Sequence, residues 1–214
     1  MQNFDTFLKD LKRAVIVRSY SELGRPYEVA IMPAVKKLKA ELSKQYDEQE
    51  KLARKREQAV LDGGSQELLE HFDECSGDAV DNQIFLEQQM AVIAEMRLVY
   101  LYKSYEVDLK RILAGAYPDD LKNLHYWNEQ SAFLLSKGIK LKKITGHMET
   151  DELRIIVNNI KHGTELDNKA KAIPEFANSE AVTYQTGTGF YKRVEPLVNK
   201  YIEEVSQQVF NSLT

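Results

Sequence analysis

The chain is expected to be all-α, an elongated up-and-down helical bundle with an N-terminal helical extension. Three observations predict this. Ten Gly and five Pro in 214 residues are few, so helices have room to run. Apolar residues recur at i, i+3, i+4 and i+7 over most of the chain and alternate over very little of it. The hydrophobic fraction of 43% and the charged fraction of 29% suit a globular chain long enough to bury a core without disulfides.

Composition also narrows the function. The single Cys75 leaves no intramolecular disulfide framework and no multi-cysteine metal site, a pattern that fits a cytoplasmic chain. The acids around it, in HFDECSGD, discourage the thiolate. No run approaches the ~18 apolar residues of a membrane span, and MQNFDTFLKDLKR lacks the layout of a secretion signal, so no membrane association is expected. Net charge is −4, so any contact with RNA needs a local basic patch rather than a global field.

Taken in order, residues 4–23 carry Phe7, Leu8, Leu11, Ala14 and Val15 at helical spacing, with Gly24 as the stop. Ile31, Val35, Leu38 and Leu42 form the next seam. Pro33 is read as the true start of a helix over 33–61. Its second half, 44–58, is strongly polar: a solvated helix held by i,i+4 pairs, or an arm that docks a partner protein. KLARKR, 51–56, is the best local nucleic-acid patch, but acids flank it. Asp62-Gly63-Gly64-Ser65 marks a boundary. It separates an N-terminal extension (1–62) from a linker with one short helix capped by Ser65 (63–77) and a main bundle (78–214). Gly77 is expected to interrupt before the spine, 81–114, whose stripe runs through Ile84, Met90 or Ala91, Ile93, Ala94, Leu98, Leu101, Tyr105, Leu109 and Ile112, widened by Val92, Val99 and Tyr102. Glu95 and Glu106 lie on its exposed remainder, or face the polar stripe described below. A helix over 121–135 carries Leu124, Trp127, Phe133 and Leu134. Residues 139–148 are read as a loop with one turn, and 164–189 as a long irregular connection. Helical spacing resumes over 191–210 despite Pro196 and closes the bundle.

The functional weight falls on ETDELRIIVNNIKHG, 149–163. Thr150 is a plausible N-cap, and Asp151 and Glu152 suit the first turn of a helix over 150–162. Leu153, Ile156, Val157 and Ile160 give an apolar face, while Arg154, Asn158 and His162 line another at i, i+4 and i+8. Gly163 is read as a left-handed stop.

Phosphate-loop, dinucleotide and zinc-protease motifs are absent from the sequence. The histidines His71, His125, His147 and His162 have no metal-ligand spacing, and His147, close to Glu149 and Asp151, is read as a loop residue. Neither a metal nor a cofactor is therefore expected. A histidine in a last turn sits beside unpaired carbonyls that favour its charged form. Such a group can move a proton, and an arginine can grip a phosphate through its planar fork. RNA brings its own nucleophile, the 2′-hydroxyl, so these groups suffice for cleavage without metal. The plain alternative has His162 bonding backbone carbonyls and Arg154 pairing with Asp151 at the surface.

NNIKHG at the end of a short helix that follows a long apolar one resembles HEPN-domain proteins. That resemblance covers about 78–210 and implies an all-helical bundle, pairing as a homodimer with two motif helices face to face. It also implies metal-independent RNA cleavage of the toxin–antitoxin or phage-defence type. The family's catalytic histidine corresponds to His162 and its polar residue to Asn158. Arg154 is the candidate phosphate clamp, and Asn159 and Lys161 are candidate substrate contacts. The arginine departs from the family pattern: seven residues separate Arg154 from His162, and Ile155, Ile156 and Val157 occupy the usual positions. Eight helical steps put the two Cα atoms about 12 Å apart, so Arg154 serves an extended phosphate backbone or the site of a second copy. Competing expectations are a non-catalytic helical interaction module and, more remotely, a nucleotide-binding regulatory bundle.

Overall fold

The structure, a computed structural model, describes residues 25–118, 126–163 and 165–213. These form helices and the turns between them, with no strand among the described residues. In chain order they are α1 (Arg25–Leu61), α2 (Gln66–Ala116), α3 (Trp127–Ser136), a 3-10 turn (Leu141–Lys143), α4 (His147–His162), α5 (Asn168–Lys171), a second 3-10 turn (Pro174–Phe176) and α6 (Tyr184–Ser212). The helix expected over 4–23, the start of the one expected from Leu121, and His125 lie outside the described residues.

α1 and α2 form an antiparallel hairpin. Gly63 supplies the left-handed residue of its turn (φ 70), and the Ser65 hydroxyl caps α2 by accepting from the Leu68 N–H at 3.3 Å. Val35, Leu52, Ala79, Leu86 and Met90 are buried along the seam. Polar cross-links repeat beside it: Tyr46 Oη donates to Glu87 Oε1 at 2.7 Å, and Gln83 Nε2 donates to Gln49 Oε1 at 3.0 Å. Two expected breaks are not breaks. Pro33 lies inside α1, and residues 66–77 are the first turns of α2, with Gly77 within the helix. A helical glycine costs only about 1 kcal/mol, which packing along a 51-residue helix overrides.

The second half of α2 enters the main core. Leu98, Leu109, Ile112 and Leu113 are buried there with Leu153, Ile156 and Val157 of α4 and Phe190, Val194, Tyr201 and Val205 of α6. α6 runs parallel to α2: Gly187 meets Ala94 near one end, and the Tyr117 hydroxyl bonds that of Ser212 near the other. α4 runs antiparallel to α6, with Gly146 against Leu197 and Glu152 bonded to Arg193.

The connection after α4 is more ordered than its composition suggested. Leu166, Ala170, Ile173, Phe176 and Val182 are buried. α6 begins at Tyr184, ahead of the expected 191, with Thr183 and Thr186 in a reciprocal cap. Gly187 is suited to its place inside that helix because a Cβ would press on Ala94 Cβ and Val182 Cγ1, each at 3.0 Å. Arg193 pins the connection: Nε and Nη2 bond the two Glu175 oxygens at 2.6 and 2.9 Å, and Nη2 also bonds Glu152 at 2.9 Å.

α4 starts earlier than expected. Its N-cap is Gly146, left-handed at φ 83, rather than Thr150. Thr150 is buried one turn in and donates its hydroxyl proton to the Gly146 carbonyl at 2.8 Å. A Cβ on residue 146 would collide with the Leu197 carbonyl oxygen and stand 3.1 Å from Tyr201 Cβ. Gly146→Ala is therefore expected to destabilise the fold by about 3–5 kcal/mol, left-handed strain adding to overpacking. Gly77→Ala, with open space around it, should instead stabilise by roughly 0.5–1 kcal/mol. Urea unfolding of both variants beside wild type checks the pair.

Candidate functional site

Starting α4 at His147 lengthens its polar stripe. His147, Asp151, Arg154, Asn158 and then Lys161 and His162 follow at steps of three or four, so one helix face carries them all. Fifteen residue steps span about 22 Å. The core face, with Leu153, Ile156 and Val157 buried as expected, lies beside it.

The N-terminal end of this stripe opens into a cleft of about 680 Å³ between α3, the 140–143 turn and α4. Ala132, Leu135, Ile139 and Leu141 give it an apolar lining. Lys140, Lys142, Lys143 and Arg154 also line it and make it cationic. On one side the half-buried rings of Trp127 and His147 lie nearly parallel, 6.3 Å between centroids and 20° between planes. Ser131 also lines the cleft, and its Oγ is buried with no hydrogen-bond partner among the described residues.

Behind the cleft is a tyrosine cluster. His147 Nδ1 is 3.4 Å from Tyr201 Oη, and the Tyr105 ring contacts Trp127 and Tyr201 at 5.9 and 6.0 Å between centroids. Burial lowers the basicity of His147, so its ring is neutral near pH 7. Burial pushes the Tyr102 phenol up to about 12, with Glu106 adding to it, and raises Tyr105 and Tyr201 as well.

The expected site residues separate into groups. Arg154 lines the cleft, but its Nε and Nη2 both donate to Asp151 Oδ1, at 2.9 and 2.7 Å. Asn158, Lys161 and His162 are exposed on the same stripe and lie outside the cleft. Lys161 Nζ stands 5.7 Å from the Tyr102 ring centre. Asn159 is turned to structure: its Nδ2 donates to the Ile155 carbonyl at 3.0 Å, and its Oδ1 accepts the Asp167 N–H at 2.8 Å. Gly163 is extended (φ −137), not left-handed, and Asn159 secures the chain beyond α4 in its place. Arg154, Asn158 and His162 thus share a helix face but not a cavity.

Glu106 pairs with Lys103 at 3.6 Å, and neither it nor Glu95 bonds Arg154 or His162. In the α1 basic segment, Lys51 pairs with Glu48 and Arg54 with Glu50, and Arg56 forks onto Asp73 of α2. Those pairs neutralise most of the basic cluster. Among the described residues no three His, Cys, Asp or Glu side chains are placed to hold a metal ion, and no helix is long and apolar enough to cross a membrane.

Sequence inspection missed His147, Trp127 and the three cleft lysines as site residues. The i, i+4, i+7 spacing from His147 through Asp151 to Arg154 was the available signal for the histidine. The cleft itself is made by residues distant in sequence, which periodicity does not reveal.

The two kinds of interaction here give separable expectations. Arg154→Met removes a half-exposed pair and should cost under about 1 kcal/mol, whereas Arg193→Met leaves two half-buried carboxylates unpaired and should cost about 2–3 kcal/mol. Chemical denaturation distinguishes them. The phenols have folded pKa values above their unfolded ones, so their contribution is full below pH 10 and is lost as pH rises, through about 12 for Tyr102. The unfolding midpoint should fall steeply above pH 10, and less steeply in Tyr102→Phe.

Comparison with protein-family models, with curated proteins and with solved structures finds no match for this chain.

Proposed function

We propose that the chain is a HEPN-like, metal-independent RNA-cleaving effector whose RNA-facing surface is the polar stripe of α4. The observation that carries this is the placement of His162 and Arg154: both lie on that stripe, four residues to either side of Asn158. His162 is exposed in the last turn of α4. It acts as the acid/base, taking the 2′-hydroxyl proton or protonating the leaving 5′-oxygen. Arg154 neutralises the phosphate, and Asn158 positions it. The cleft lysines and Lys161 supply the local basic field that a chain of net charge −4 otherwise lacks.

Symmetry offers a way round the wide spacing within one helix. If two copies pair their α4 helices antiparallel about a two-fold axis at Asn158, each Arg154 faces the partner's His162. Each of two identical sites then takes its histidine from one copy and its arginine from the other. Opening the Asp151–Arg154 pair on RNA binding costs little because that pair is partly solvated.

One observation favours a second reading, a non-catalytic helical interaction module: Arg154 is already satisfied by Asp151. Both readings are separated by incubating purified protein with total RNA in EDTA. Wild type should cut, while His162→Ala and Arg154→Ala should each lose at least about 100-fold in rate. Mixing the two inactive variants should restore roughly a quarter of the wild-type rate, because about half of the dimers are then mixed and each mixed dimer keeps one of its two shared sites intact. Equal products from wild type and His162→Ala, or none from either, contradict the nuclease and leave the interaction module.

A further inference from the structure

We infer that the cleft between α3 and α4 is a base-binding subsite that holds one unpaired nucleobase of single-stranded RNA. This rests on the RNA reading above and adds to it where the strand is gripped and which form of RNA is accepted. Three features specify the occupant. The Trp127 and His147 rings, 20° from parallel, offer a flat aromatic surface on which any base can stack. The apolar lining around Ala132 and Leu135 suits a flat ring with little hydration to lose. Lys140, Lys142 and Lys143, with Arg154 against the single acid Asp151, favour an anionic ligand, and a nucleotide is both anionic and flat.

Size and connectivity agree with one nucleotide of a longer strand. About 680 Å³ is ample for a base and its sugar, and the exposed Leu135, Lys142 and Lys143 at its rim leave the strand a way out. It leaves along α4, because Arg154 belongs both to the cleft and to the stripe that leads to Asn158 and His162. A base inside a duplex cannot reach such a cleft without leaving its stack, so single strands are selected over double ones.

Trp127 is the sole tryptophan, so emission excited at the red edge, where tyrosine does not absorb, reports on this cleft. The full-length protein is titrated with a short 2′-O-methyl oligoadenylate, which cannot be cleaved, and with an abasic strand of the same length. Strand binding is followed independently by the anisotropy of an end label. The expected result is binding of the oligoadenylate with quenching of Trp127, and weaker binding of the abasic strand without quenching. Leu135→Glu, a change at an exposed residue of the lining, and Trp127→Phe should each weaken oligoadenylate binding roughly tenfold while keeping the wild-type circular dichroism. Binding without quenching, at an affinity that Leu135→Glu leaves unchanged, overturns the base subsite and leaves the RNA reading standing. Failure of every strand to bind overturns both. Emission that responds to phosphatidylserine vesicles and not to RNA replaces the base with a lipid and likewise overturns the inference.

Discussion

The contact at Gly146 fixes the end of this bundle that carries the cleft. There the chain passes so close to α6 that a side chain would strike the Leu197 carbonyl, and the backbone is left-handed. Only glycine meets both conditions without strain. Because the approach is this close, α4 starts at His147, and the imidazole lies 5.7 Å from the Tyr201 ring and parallel to Trp127. Thr150 ties the first turn back to Gly146, and Glu204 accepts the Thr145 N–H at 3.2 Å, so both sides of the crossing are anchored. The cleft, the tyrosine cluster behind it and the direction of the α4 stripe all follow from one missing Cβ.

Charge is distributed to match. Arg193 is spent on architecture, bridging Glu152 of α4 and Glu175 of the connection, and those bonds hold the Glu175 carboxyl below its usual range. Arg154 has a single carboxylate partner on its own helix and a face toward the cleft. The basic run of α1 is largely consumed by ion pairs, although it looked the better patch in the sequence. Positive charge gathers instead where the chain turns from α3 into α4, at Lys140, Lys142 and Lys143, which have no ion pair among the described residues. A protein of net negative charge thereby keeps a local cationic surface beside an aromatic one.

Periodicity carried much of the fold. Leu153, Ile156 and Val157 are buried, and the α2 stripe forms the core from Leu98 to Ile112 while Ile84 and Val92 of it are exposed. Ser65 is the expected cap, but of the 51-residue α2 rather than of a short separate helix. Punctuation by single residues was less dependable, because tertiary contact decides what a glycine or proline does. Gly77 sits inside α2 and Gly187 inside α6, the latter because Ala94 leaves no room for more. Thr150 has the chemistry of an N-cap, yet Gly146 starts the helix through a contact fifty residues away in the chain. The shared helix face of Arg154, Asn158 and His162 was legible from their spacing, but not that only Arg154 reaches the cleft. The partnership of Trp127, His147 and the lysines was not, since it exists only once α3 and α4 are packed together.

Photo-crosslinking offers the most direct measurement of whether the α4 face receives RNA. The protein is irradiated with a 4-thiouridine-substituted strand, and the adducts are located by mass spectrometry. Adducts concentrated between residues 127 and 162, at the cleft and along the stripe, are the expected result. Adducts confined to the charged half of α1, or none at concentrations where a known RNA-binding control is labelled, contradict it.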